Sequence, residues 1–168
     1  MIGLLVVASC SIEQAVPLPY CQGNGSGLIA AQSVPGADLV PCFDSLPEGW
    51  ETESVKIDQS GTVIRFDSDR AGDGAAVFRF AAECDPGPAD STPSEYGGAE
   101  RFDEIEQIDP AFRARRYYTF EGGCVWWEFE FAEDASARLS SALGSHLVLL
   151  SRDSINDNIS ETFIDAEL

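Results

Sequence analysis

The sequence predicts an α+β fold: an antiparallel sheet of five to six strands with C-terminal helices packed on one face. Three observations predict it. Between residues 54 and 132, apolar and polar residues alternate in short runs separated by Gly, Pro and Ser, the pattern of half-buried strands. Beyond residue 133 the apolar spacing lengthens to that of helices. Hydrophobic residues make up 44% of the chain, with ten Phe, four Tyr and three Trp, so a real core can be built despite a net charge of -19. A length of 168 residues fits one domain with a tail.

The elements follow in order. Residues 54–58 and 62–67 form a hairpin around Gln59-Ser60-Gly61, with Val55, Ile57, Ile64 and Phe66 turned inward. Residues 75–84 give a third strand whose Phe78, Phe80 and Ala82 share that face, joined to the second by the loop DSDRAGDG at 67–74. A Pro/Gly/Ser-rich loop covers 85–99. Residues 101–108 read as strand rather than helix, because Asp109-Pro110 makes a turn into a strand at 115–121. Residues 124–132 are the most strand-like run, with Val125, Trp127, Phe129 and Phe131 alternating with Trp126, Glu128 and Glu130. Cys124 then has the wrong parity for the face that Cys84 shares, a mismatch that a bulge at Gly122-Gly123 would reconcile. Leu139 and Leu143 mark a helix over 134–143 with Gly144 as its C-cap, followed by a short strand at 146–151. Asp153 caps a final helix with Ile155, Ile159 and Phe163 on one stripe.

The N-terminus has its own character. Residues 2–8 (IGLLVVA) are apolar without a break, and Val7-Ala8-Ser9-Cys10 resembles the lipobox of bacterial prolipoproteins. The resemblance implies that Cys10 carries a diacylglyceryl thioether, becomes the new N-terminus after cleavage, and anchors the protein to a membrane. Residues 1–9 are accordingly the signal segment, short or truncated for an export signal because Met1-Ile2-Gly3 contains no Lys or Arg. Residues 10–40 are rich in Pro and Gly and read as a flexible tether, leaving 41–168 as a single globular domain. Segments at 46–50, 67–75, 117–125 and 150–155 together resemble uncharacterised surface lipoproteins of high-GC Gram-positive bacteria, which implies an envelope location and no particular activity.

With Cys10 lipidated, Cys21, Cys42, Cys84 and Cys124 remain, an even number suited to disulfides in an oxidising compartment. Three pairings are possible. Cys21 with Cys42 would pin part of the tether to the domain, and Cys84 with Cys124 would tie two distant strands. No C-x-x-C occurs and His146 is the only histidine, so zinc and redox chemistry are poorly served.

Charge excludes one class of partner. Twenty-nine acidic residues face ten basic ones, so phosphate backbones are repelled and no nucleic acid is expected. Asp67, Asp69 and Asp73 space like the start of a calcium loop, but Phe78 stands where a bidentate Glu would be needed, which makes them weak metal candidates. Glu128 and Glu130 share a strand face beside Trp126, roughly 7 Å apart, a spacing compatible with an inverting glycan hydrolase and equally with a solvated face. Arg113, Arg115 and Arg116 form the one basic cluster; alternation puts Arg113 and Arg115 together, where neighbouring carboxylates should pair with them. No catalytic residue and no cofactor is assigned. The expectation is a non-catalytic, lipid-anchored module on the extracytoplasmic face of the cell membrane, its partners the membrane and an envelope protein or glycan. The rivals are a carboxylate-dependent hydrolase and a calcium-dependent adhesion module.

Overall fold

The computed structural model describes residues 16–22 and 26–155. Cys10, the apolar run before it, and the stripe at Ile159 and Phe163 lie outside the described residues. The described residues are mostly β, with 51% strand against 13% helix, which overturns the α+β expectation. Its strands are β1 (Leu39–Phe43), β2 (Trp50–Asp58), β3 (Gly61–Ser68), β4 (Gly72–Ala81), β5 (Asp90–Thr92), β6 (Glu100–Gln107), β7 (Ala111–Phe120), β8 (Gly123–Glu133) and β9 (Leu147–Ser151). The named elements of the described residues also include two short helices, α1 (Ser26–Ser33) and α2 (Arg138–Gly144).

Seven strands form one antiparallel sheet in the order β2-β3-β4-β8-β7-β6-β5. The chain leaves β4, crosses to the far edge at β5, and returns by hairpins until β8 closes against β4. β1 and β9 form a separate antiparallel ribbon. Phe43 of β1 lies 5.4 Å from Phe78 and 5.9 Å from Trp127, so the ribbon covers the inner face of the large sheet. The helical expectation over 134–143 yields only the seven-residue α2, which puts Leu139 and Leu143 into that core. Packing across this face is therefore chiefly β on β. The helix read from Asp153 begins as a helical turn at 152–155, and its continuation lies outside the described residues.

Local chemistry explains most strands. Val125, Trp127, Phe129 and Phe131 are all buried on the inner face, opposite Phe80, Phe78 and Ala76 of β4. The β2–β3 turn reverses at Gly61, whose φ of 127° suits a residue without Cβ. Asp109-Pro110 turns β6 into β7 through a cis peptide. No bulge at Gly122-Gly123 reconciles the two cysteines, because the β7–β8 register runs straight through Gly123 and Cys124 and the β4–β8 register is unbroken up to Cys124. Parity never conflicts: β4 ends at Ala81, so Cys84 sits in the following loop and reaches Cys124 from there.

The stretch at 10–40 is folded over much of its described part. Leu18, Ala30, Ala31, Val34 and Ala37 are buried, and Cys21 is bonded to Cys42. The helix α1 carries no charge of its own to support its ends. Arg152 supports its C-terminal end instead: Nη2 donates to Ala31 O in the helix (3.1 Å) and to Val34 O just beyond it (2.8 Å), and Nε donates to Ala37 O in the turn that follows (2.7 Å). Arg152→Ala should therefore cost about 2 kcal/mol, and Arg152→Lys should recover little of it, since one ammonium cannot span three carbonyls. Amide exchange reports this directly: α1 should lose protection before the seven-stranded sheet does, and unchanged α1 protection would remove Arg152 as its support.

Candidate functional site

The residues singled out by sequence fall on both faces of the sheet. On the outer face, Glu128 Oε1 accepts hydrogen bonds from Arg79 Nε and Trp126 Nε1, each at 3.0 Å. Glu130 pairs with Arg113 at 3.2 Å, and Arg115 pairs with Glu106 at 2.9 Å and Glu104 at 3.5 Å. Trp126 stacks on Tyr117 and lies 6.0 Å from the Arg79 guanidinium. The expected pairing of Arg113 and Arg115 with acidic neighbours is thus what the register produces. Glu128 and Glu130 are rungs of a cross-strand ladder, each with an oxygen occupied by an arginine; they line one hollow of about 260 Å³ side by side on the same strand, with Arg113 and Arg115 beside them.

Asp67, Asp69 and Asp73 are not brought to one point. Asp67 Oδ1 accepts from Gly74 N at 2.6 Å, closing the β3–β4 turn, while Asp69 pairs with Arg70 at 3.5 Å and Asp73 is exposed in β4. Among the described residues, no three His, Cys, Asp or Glu side chains gather as a metal site.

One grouping escaped sequence reasoning because its members lie a hundred residues apart. His146 Nδ1 lies 2.8 Å from both Asp44 Oδ1 and Ser45 Oγ. The hydrogen bond with His146 is the chief cause holding the Asp44 carboxyl below its ordinary range. A catalytic triad places acid and serine on opposite ring nitrogens, so that the imidazole can pass a proton between them. Here both converge on Nδ1. The grouping orients His146 at the start of β9 and does not activate Ser45.

The inner face carries the more informative arrangement. Past the β1–β9 ribbon, β6 and β7 face α2 across a groove of about 420 Å³, with Arg101, Asp103, Phe112, Arg116, Arg138 and Ser141 among its walls. Asp103 is its pivot: Oδ1 accepts from Arg116 Nε and Oδ2 from Arg101 Nε, both at 2.7 Å, and Thr92 Oγ1 adds a third bond at 2.8 Å. Arg101 Nη1 continues to Glu95 at 3.2 Å, and Glu95 also accepts from Tyr118 Oη at 2.7 Å. Tyr96 Oη donates to Leu147 O, and burial pushes its hydroxyl up to about 12. Burial alone would raise the Asp103 and Glu95 carboxyls. For Asp103 the arginine and threonine bonds outweigh it, and for Glu95 the Tyr118 bond and Arg101 do, so both titrate below their ordinary range.

Only Arg116 of this network stood among the sequence candidates. Arg101, Asp103 and Glu95 did not, although an Arg-x-Asp pair on the strand face shared with Ile105 was a usable signal. A consequence for acid stability follows. Because the folded carboxyls titrate below their unfolded values of 3.8 (Asp103) and 4.5 (Glu95), their contribution is complete above those values and lost as pH falls through the folded ones. Urea midpoints should therefore decline with acidification below about pH 4.5, and Asp103→Asn should flatten that decline. An equally steep decline in the variant would place the acid sensitivity elsewhere.

Comparison of the chain with protein-family models, with curated proteins and with solved structures gives no match. Function is therefore argued from the chemistry of the site itself.

Proposed function

We propose that the chain is a lipid-anchored extracytoplasmic protein whose domain binds another component of the cell envelope without transforming it. The observation that carries this is the cysteine pairing. Cys21 bonds to Cys42 and Cys84 to Cys124, which accounts for every cysteine except Cys10. Two disulfides in one small domain suit an oxidising exterior. The leftover cysteine is the one that follows Val7-Ala8-Ser9. Under this reading residues 1–9 are removed and the membrane is reached through lipid on Cys10.

Binding is favoured over hydrolysis by the state of the carboxylates. Glu128 and Glu130 are each engaged by an arginine, and the two carboxylates lining the groove under α2, Asp103 and Glu104, are likewise paired with Arg116 and Arg115, beside hydroxyl groups and an apolar floor. Such a surface recognises a ligand without supplying a nucleophile and its base. Cys10→Ala should move the protein from the membrane fraction to the soluble extracytoplasmic fraction, or stall it as a precursor of higher mass. Undiminished membrane association with unchanged mass would reject the anchor.

A further inference from the structure

We infer that the groove between β6–β7 and α2 binds a small organic monocarboxylate with an apolar body, its carboxylate held by Arg116 and Arg138. This rests on the domain being a binding module, and it names the site and the class of ligand.

Charge singles the groove out. In a chain with a net charge of -19, six of the nine arginines are in ion pairs and Arg152 is taken up by carbonyls. Among the described residues, Arg65 and Arg138 are the two arginines whose side chains have neither an acidic nor a carbonyl partner, and Arg138 lines the groove. Arg116 is engaged only through Nε, which leaves its two Nη groups without a hydrogen-bond partner among the described residues. Its side chain is only 15% exposed and its fork is fixed by Asp103, so no rotamer freedom is lost when an anion arrives. Gly144 makes room for it: a Cβ there would lie 3.1 Å from Arg116 Nη1. A planar guanidinium with free donors, already oriented, is the usual partner of a carboxylate.

The rest of the groove selects for an apolar body. Phe112, Ala114 and Phe129, all buried, form part of the lining, and Ile105 at the mouth is 61% exposed. A ligand that covers Ile105 removes apolar surface from water, which inorganic anions cannot do. The volume of about 420 Å³ lies in the range of small-molecule sites, roughly 300 to 1,000 Å³. Asp103 and Glu104 in the same lining disfavour a dianion, so a carboxylate fits better than a phosphate monoester.

The test is calorimetric titration of the full chain in non-ionic detergent with 4-phenylbutyrate, its uncharged amide, and inorganic phosphate. The acid should bind saturably, the amide at least tenfold more weakly, and phosphate without effect on the acid. Arg138→Glu should weaken the acid at least tenfold while leaving the melting temperature unchanged, since the Arg138 side chain has no partner among the described residues to lose. Ile105→Ser should weaken it several-fold. No saturable binding up to about 10 mM, a weakness beyond any physiological affinity, would overturn the inference. Equal affinity for acid and amide, competition by phosphate, or indifference to Arg138→Glu would overturn it as well. Fractionation of Cys10→Ala is independent of these titrations, so the groove can fail while the anchor stands.

Discussion

Trp127→Ala should cost about 3 to 5 kcal/mol and lower the melting temperature by roughly 10 °C or more. Trp127 is fully buried on β8, with Phe78 at 4.9 Å, Phe129 at 5.6 Å, Phe66 at 5.7 Å and Phe43 at 5.9 Å between ring centroids. Those rings come from β4, β8, β3 and β1, so one side chain joins both sheets. Removing it opens a cavity that rigid aromatic neighbours cannot refill. Its Nε1 is buried without a hydrogen-bond partner among the described residues, a desolvation cost that phenylalanine would abolish. Trp127→Phe should accordingly lose far less, about 1 to 2 kcal/mol. Urea denaturation of both variants checks the pair. Equal losses would show that the indole is not the centre of the core.

The second large effect concerns Cys84 and Cys124. Replacing both with serine should cost about 3 to 4 kcal/mol in the chain-entropy model, because the bond closes a loop of 40 residues. That loop contains all of β5, β6 and β7, and with them the Asp103 network and one wall of the groove. Loss of the bond should therefore loosen the groove before it loosens β2–β4. The Cys21–Cys42 bond closes 21 residues and should contribute somewhat less, chiefly by holding Leu18 and α1 to β1. Denaturation midpoints of the two double variants give the order. A stability unchanged by the Cys84/Cys124 replacement would mean that these cysteines brace nothing.

Much of the sheet was legible because its signals are local. Alternation alone placed Val125, Trp127, Phe129 and Phe131 on one buried face and Glu128 and Glu130 on the other, and Gly61 and Asp109-Pro110 marked real turns. What failed depended on distant partners. The segment around α1 reads as linker because nothing within it stabilises a helix; its support comes from Arg152, 115 residues beyond Ala37. The helical spacing at 134–143 is genuine in Leu139 and Leu143, yet it produced one short helix, and β1 and β9 took the covering role assigned to helices.

The candidate site was legible in the same uneven way. Sequence placed Glu128 and Glu130 on the right face but could not show that register sets Arg79 and Arg113 beside them. It assigned no role to the charges of β6, whereas Asp103 is shielded because Arg101, Arg116 and Thr92 surround it. A buried charge is tolerated only with partners, and partners contributed by other strands have no local signature.

The central claim is that Cys10 carries the lipid and the other four cysteines brace an exported domain. Intact-mass analysis and non-reducing peptide mapping of the protein extracted from membranes test it most directly. The account predicts an N-terminus at Cys10 bearing a diacylglyceryl group, with Cys21–Cys42 and Cys84–Cys124 recovered as cystine peptides. A chain that retains residues before an unmodified Cys10, with the remaining thiols free, would contradict it.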